Sequence, residues 1–447
     1  MSKPMTKRRK AIIRRRIFLS VCSLALICTI ALGVFIVNAI IGDKDSSESQ
    51  KESPVSSVQS DTKEEKTELK ESFATVLSTG DIMTHSTQLN GAKQPDGSYD
   101  FSRFFKECSK YFKEADLAIA NLEVTFGGKE SGAFSGYPAF NTPDSLADSI
   151  KESGLNFLLT ANNHSYDTGL FGLKRTARVL REKGIEFIGT REDATTSLYT
   201  VKDVNGIKIG MADYSYETSG NQEGRKYLNG NILAKEANDL IASFDYNKID
   251  KFYAEAKKVI EDMKVKGAEY IVFYMHWGDE YKLSPSTWQK SIAQKLSNLG
   301  VDMIIGSHPH VIQPMELIHS EDGQNTTVCL YSTGNAVSNQ RQELMDSCPT
   351  GHTEDGLLFT YKLRKYGDEV SLEEVDIIPT WVNKYKENGR GHYYTVYPLT
   401  SADSGSQYGL SGSTLAKSQK SFERTKNLIS ESLTAIQQEI GCDITFK

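Results

Sequence analysis

Five of the eight histidines in the 447-residue chain stand in five short segments that also hold Asp, Glu and Asn. The segments are Ser78 to His85 with Asp81, Ala120 to Glu123, Thr160 to Gly169 with Asn163, His164 and Asp167, Tyr274 to Glu280 with His276, and Ile305 to His310 with His308 and His310. Imidazole, carboxylate and amide donors with no thiolate among them suit zinc, manganese or iron, and a His-x-His pair beside separate carboxylates is enough for two ions. Two such ions roughly 3.5–4 Å apart can activate a water, orient a substrate and stabilise both oxygens of an in-line displacement. The chemistry within reach is hydrolysis or transfer at a phosphorus or carbonyl centre. A single histidine at a strand end is ordinarily a hydrogen-bonded structural residue, so the joint pattern carries the expectation. His319, His352 and His392 lack that context and read as ordinary loop or strand residues.

The elements that must position these groups are short apolar runs bounded by Gly, Asn, Asp or Ser, the pattern of buried strands. Such runs are Thr75–Leu77, Leu117–Ala120, Leu155–Leu159, Ile185–Ile188, Ile207–Met211, Tyr270–Met275, Val301–Ile305 and Thr327–Tyr331. Amphipathic helices are expected over Leu170–Glu182, Lys251–Lys266 and Pro285–Leu299, each followed by a glycine stop. The alternation is that of an α/β protein, in which ligands bind beyond the carboxyl ends of the strands, so the five segments converge on one crevice. Runs at Leu357–Leu363 and Glu369–Ile378 lack intervening helices and suggest antiparallel strands, and Thr414–Ile440 suggests a terminal helix. Trp277 and Tyr281 could line a substrate pocket or pack on a neighbouring strand, and Tyr214 to Thr218 is a candidate rim loop. No internal repeat and no Gly-rich phosphate loop is present.

Charge is distributed unevenly. The first sixteen residues hold eight Lys/Arg and no acid, so a net charge of −6 for the whole becomes −14 for residues 17–447. An acidic body without a basic stripe excludes nucleic acid as a partner, because backbone phosphates are bound by clustered Lys and Arg. Ile17 to Ile41 is a run of 25 uncharged residues, long enough as a helix to cross a bilayer. With the basic residues 1–16 before it, the positive-inside rule places the N-terminus in the cytoplasm and the main domain outside the cell, a single-pass protein of the cell membrane. Residues 42–72 are rich in Ser, Lys and Glu and read as a disordered linker. Cys108, Cys329, Cys348 and Cys442 are widely spaced without a CxxC pair, which points to neither a zinc knuckle nor a redox motif, and Cys329 reads as a buried thiol.

The segments GDIMTH, ANLE, TANNHSYDTG, HWGDEY and GSHPHVIQPMEL, in that order, resemble the CapA family of poly-gamma-glutamate capsule biosynthesis proteins. The resemblance covers about residues 73–380, leaving 381–447 as a C-terminal extension. It implies a calcineurin-like metallophosphoesterase fold, a four-layer α/β/β/α sandwich with two divalent transition-metal ions at the sheet edge. Carried over by position, it implies Asp81 and His310 as ligands of the first metal, Glu123 as the bridging carboxylate, and Asn163, His276 and His308 as ligands of the second. His164 falls where that superfamily keeps a non-ligand histidine, with Asp167 placed to orient it as a general acid. His85, four residues after Asp81 where an Asp-x-His opening is usual, stays open as a ligand of the first metal.

Fold and chemistry are separable. One reading is a membrane-anchored metal-dependent hydrolase or transferase, acting on an anionic envelope polymer or phosphoester and working beside a membrane synthase complex. The other is a non-catalytic partner that exports or tethers the polymer. The retained His164 and Asp167 favour the first, since a binding module has no evident need of a non-ligand histidine.

Overall fold

The structure, a computed structural model, describes residues 70–218, 224–387 and 391–447. The expected basic segment 1–16, transmembrane helix 17–41 and linker as far as residue 69 lie outside the described residues. Among the described residues no helix is long and apolar enough to cross a membrane. The described residues form one compact unit.

The fold is α/β. Four strands, β1 (Glu71–Ile82), β2 (Leu117–Leu122), β3 (Phe157–Leu159) and β4 (Glu186–Ile188), pair in parallel in that order and start the first sheet. The second sheet begins with β5 (Tyr199–Val204), antiparallel to β6 (Ile207–Tyr216). A small hairpin, β7 (Tyr227–Leu228) and β8 (Asn231–Ile232), follows, and β9 (Ser243–Phe244) adds to the end of β6. Next come β10 (Tyr270–His276) and β11 (Met303–Ser307), parallel to β6, then β12 (Ile312–His319), which turns back antiparallel along β13 (Thr326–Thr333). The chain returns to the first sheet with β14 (Asn335–Val337) against the end of β1. There β15 (Asp355–Tyr366), β16 (Glu369–Lys386) and β17 (His392–Pro398) form an antiparallel flank beside β1, and β18 (Asp443–Phe446) pairs with β16. All eight apolar runs expected as strands overlap strands here.

Alternation along the strands explains the layering, because successive side chains point to opposite faces. On β2, Leu117 and Ile119 join one core while Ala118 and Ala120 join another. On β10, Val272 and Tyr274 enter the same core as Leu117, whereas Ile271, Phe273 and Met275 face the other way. The shared core lies between the two sheets. The outer face of the first sheet is covered by α1 (Ser86–Ala92), α2 (Ser109–Glu114), α3 (Ser145–Ser153) and α4 (Gly169–Lys183), and that of the second by α5 (Ile249–Val265) and α6 (Thr287–Asn298). Ser286 caps α6 reciprocally with Gln289: Ser286 Oγ accepts from the Gln289 N–H at 3.3 Å, and Gln289 Oε1 accepts from the Ser286 N–H at 2.8 Å.

A one-turn helix α7 (Ser404–Gln407) precedes α8 (Gly412–Ile440), whose Ile429, Leu433 and Ile436 enter the inter-sheet core. The end of the resemblance expected near residue 380 is not an edge of the fold. It falls inside β16, and residues 381–447 supply β17, α8 and β18 to the same unit. The N-terminal edge differs by less, with β1 starting at Glu71 rather than Phe73. Cys108, Cys329, Cys348 and Cys442 are free and buried.

Candidate metal centre

Parallel pairing brings the carboxyl ends of β1, β2, β10 and β11 together, and the polar residues stand there. Asp81, next to the end of β1, lies in register with Asn121 of β2 and Asn335 of β14. Its carboxylate is fully buried: Oδ1 accepts from Asn121 Nδ2 at 2.7 Å, and Oδ2 accepts from the His308 N–H at 3.2 Å and lies 3.2 Å from His310 Nδ1. Glu123 follows β2, tied by its N–H to the Ile82 carbonyl at 3.1 Å. It too is fully buried, yet neither carboxylate oxygen has a hydrogen-bond partner; Oε1 lies 3.6 Å from His276 Nε2 and 3.8 Å from His310 Nε2.

His276, the last residue of β10, is paired with Ser307, the last of β11. Ser307 Oγ lies 2.9 Å from His276 Nδ1, so the other ring nitrogen, Nε2, faces Asn163 Oδ1 at 2.8 Å. His308 and His310 have φ of 94° and 56°, a left-handed conformation that costs on the order of 1–3 kcal/mol in a non-glycine residue and is held only where the surroundings enforce it. The turn aims both rings inward, and His308 Nδ1 is buried without a partner.

Ligand atoms of Asp81, Glu123 and His276 lie within 4.8 Å of one another, and so do those of Glu123, His308 and His310, so Glu123 belongs to both groups. A buried carboxylate and a buried imidazole nitrogen without partners are costly unless a cation completes them. The residues thus fit a metal site: Asp81, Glu123, His276, His308 and His310, with the Asn163 amide adjoining, could hold metal ions.

The titration behaviour of the metal-free cluster agrees with that need. Burial, reinforced by Asp81, Glu280 and Asp167, drives the Glu123 carboxyl well above the usual range. Burial, with neighbouring histidines, drives His276 and His308 well below theirs. Neutral imidazoles are the form that binds metal.

His164 stands apart from both groups. Its Nδ1 lies 2.7 Å from Asp167 Oδ2, which also accepts the Phe140 N–H at 2.7 Å, and the Phe140 ring packs edge-on at 4.7 Å. The carboxylate fixes Nδ1 as the protonated nitrogen and leaves Nε2 free, while the His164 ring lines a cleft of about 420 Å³ together with His310 and Tyr281. His85 lines the same cleft but joins neither group. It caps α1, with Nδ1 3.2 Å from Gln88 Oε1 and accepting the Asn339 N–H at 3.3 Å, and burial lowers its pKa to about 4.

Several further residues shape the centre. Asn121 Nδ2 also lies 3.3 Å from His276 Nδ1, and Asn121 Oδ1 accepts from Asn162 Nδ2 at 3.1 Å, so two amides link the ligand loops. Asp213 of β6 crosses between the sheets to accept the N–H groups of Thr160 and Ala161 at 2.9 and 2.8 Å, anchoring the loop that carries Asn163 and His164. An Asn within LAIANL and an Asp within IKIGMADY are polar residues in apolar strands, and that was their available signal. Tyr216, in the candidate rim segment, packs its ring 4.7 Å from that of His308. Trp277 is wholly buried and donates to the Tyr331 carbonyl at 3.0 Å, so it packs in the core, whereas Tyr281 lines the cleft.

Two sheets converging on a buried carboxylate and imidazole cluster define an α/β protein with a site able to hold metal ions. The chain belongs to the bacterial capsule synthesis protein family, whose model PGA_cap matches residues 75–340. It is similar to capsule biosynthesis protein CapA of Bacillus anthracis, 27% identical over 68% of this chain and 66% of the relative. It is also similar to PGA biosynthesis protein CapA of Bacillus subtilis strain 168, 27% identical over 59% of this chain and 62% of the relative. A probable polyglutamine synthesis accessory protein of Mycobacterium tuberculosis is 25% identical over 50% of this chain and 55% of its own length. The matches span slightly under two thirds of the curated relatives' lengths. Among solved structures, TT1561 of Thermus thermophilus is similar at 10% identity and a TM-score of 0.32, over 67% of this chain and 97% of that one, and nothing further rests on that likeness.

Proposed function

We propose that this family member is anchored in the cell membrane through residues 17–41 and works outside the cell in making a capsule or other envelope polymer. Its body is a metallophosphoesterase-like sandwich whose centre holds two divalent transition-metal ions, zinc, manganese or iron, and it hydrolyses or transfers at a phosphoester or polymer bond. The observation that carries this reading is Glu123, buried, without hydrogen bonds and common to both ligand groups. When bound, such ions activate water and stabilise developing negative charge. Asp81, Glu123, Asn163, His276, His308 and His310 would hold them. His164 takes the part of proton donor as an imidazolium: Asp167 and Phe140 fix its ring, the carboxylate accepts the Nδ1 proton's hydrogen bond and balances the charge, and Nε2 gives up its own proton to the leaving oxygen or nitrogen in the cleft, leaving the ring neutral with Nδ1 still protonated.

The test is His164→Ala in the full chain. Metal content should match wild type, while turnover of a phosphodiester or of the polymer should fall by roughly 10²–10⁴-fold; undiminished turnover would remove the proton-donor role. For the anchor, deletion of residues 1–41 should release the chain from the membrane fraction, and retention there would refute it.

A second reading, a non-catalytic export or tethering partner, is favoured by one observation, the accessory role named for the Mycobacterium tuberculosis relative. A metal-loaded chain that turns over neither substrate class would support it.

A further inference from the structure

We infer that Tyr281 is a second hydrogen-bond donor to the reacting group, beside His164: its hydroxyl donates to a non-bridging oxygen of a tetrahedral oxyanion held at the metal centre. The inference rests on the proposed function only in taking Asp81, Glu123 and the histidines as the place where that group binds.

The backbone singles Tyr281 out. Among the described residues five other than glycine have positive φ: Asn205, Asn229, Tyr281, His308 and His310. Asparagine tolerates the left-handed region, whereas a bulky aromatic residue stays there only where its surroundings enforce it. Of the other three, His308 and His310 are candidate ligands, and the third, at φ of 64°, is Tyr281. Its N–H donates to the Pro309 carbonyl at 2.8 Å, which ties its turn to the one that carries His308 and His310. Glycine or asparagine would serve that turn with less strain, so the turn alone does not account for a tyrosine. What the strained backbone secures is the placement of the phenol. Its ring centroid lies 6.1 Å from that of His310, and the residue lines the cleft together with His164 and Glu280.

A chain of amides fixes the direction of the hydroxyl. Asn335 Nδ2 donates to the His310 and Thr353 carbonyls at 3.3 and 2.9 Å, so its NH2 and not its oxygen faces Gln340. Gln340 Oε1 therefore accepts, from Asn335 Nδ2 at 3.0 Å, and the Gln340 NH2 is left to donate to the Tyr281 hydroxyl oxygen at 3.3 Å. With that oxygen accepting, the phenol hydrogen is directed to an acceptor in the cleft. Glu280 lies within reach of it, and an anionic substrate oxygen replaces one negatively charged acceptor by another. A hydrogen bond to such an oxygen is charge-assisted, and a donor fixed before binding loses little entropy on making it.

The test is calorimetric titration of the full chain in detergent, loaded with manganese, with inorganic phosphate, for wild type, Tyr281→Phe and Tyr281→Asn. Phenylalanine keeps the ring and asparagine suits the positive φ, so metal content should stay at the wild-type value and the melting temperature should hold or, for Tyr281→Asn, rise. Phosphate binding should weaken by about tenfold in both variants. Unchanged phosphate affinity in Tyr281→Phe, no phosphate binding by wild type, or a weakening matched in both variants by loss of metal or of melting temperature would each overturn the inference. Phosphodiester turnover, read on the same samples, reports separately on the proposed function. A wild type that binds phosphate through Tyr281 yet turns over nothing would remove the hydrolase and leave the donor in place, whereas a wild type that turns over, with Tyr281→Phe binding phosphate equally well, would remove the donor and leave the hydrolase.

Discussion

Glu123 shows how a single side chain can be tuned for something the protein alone does not supply. Without a cation its carboxyl is buried near Asp81 with no donor to either oxygen, so ionising it in the metal-free chain is unfavourable. Glu123→Gln is therefore expected to raise the melting temperature of the chelator-treated protein at neutral pH. Adding metal should then stabilise wild type and stabilise the variant far less, since only binding to the folded state shifts the transition. A variant that gains as much from metal as wild type would remove Glu123 from the centre. His85 offers a pH test. Its pKa is about 4 in the folded chain against about 6.5 unfolded, so between those values the unfolded state binds the extra proton and stability falls as pH falls. In the metal-free protein, His85→Gln should lessen the loss of stability between pH 6.5 and pH 4 by up to about 3 kcal/mol, measured as urea midpoints at the two ends. An unchanged loss would show that His85 is not held neutral by burial.

At the scale of elements, the strand ends were legible because apolar runs and polar punctuation coincide with burial and exposure. Leu117 to Ala120 and Tyr270 to Met275 announced both the strands and their two-faced packing. The edge strands were not legible. Tyr199–Val204 and His392–Pro398 are half-buried and mix Lys, Asp, His and Thr with their apolar residues, so periodicity alone does not separate them from loops. The length of β16 was underestimated because Pro379, Asn383 and Lys384 interrupt its apolar character, although neighbours on both sides sustain the ladder. At the site, the motif segments were legible, whereas Asp213 acts across the sheets and Asn335 pairs with Asp81 within the first sheet, both at sequence distances that no local pattern records. Two glycines set the approach of elements. A Cβ on Gly80, immediately before Asp81, would collide with the Gly334 carbonyl oxygen, and one on Gly306, before Ser307, with that of Tyr331. Gly80→Ala should force β1 and the segment before β14 apart, displacing Asp81, costing several kcal/mol and lowering metal affinity together. A variant with wild-type stability and wild-type affinity would show that the strands yield without strain.

For the molecule as a whole, the order of sheets decides where chemistry can occur. Parallel strands from both sheets end on the same side, and antiparallel flanks and α8 extend the scaffold without adding ligands to the centre. Acidity is a property of the body, −14 beyond the first sixteen residues, and the histidine cluster interrupts it at one buried place. The most direct test is metal analysis of the full-length chain, purified in detergent and exposed in turn to zinc, manganese and iron. We expect about two ions per chain for at least one of these metals. A folded chain that retains none of the three would contradict the metal centre and the chemistry proposed for it.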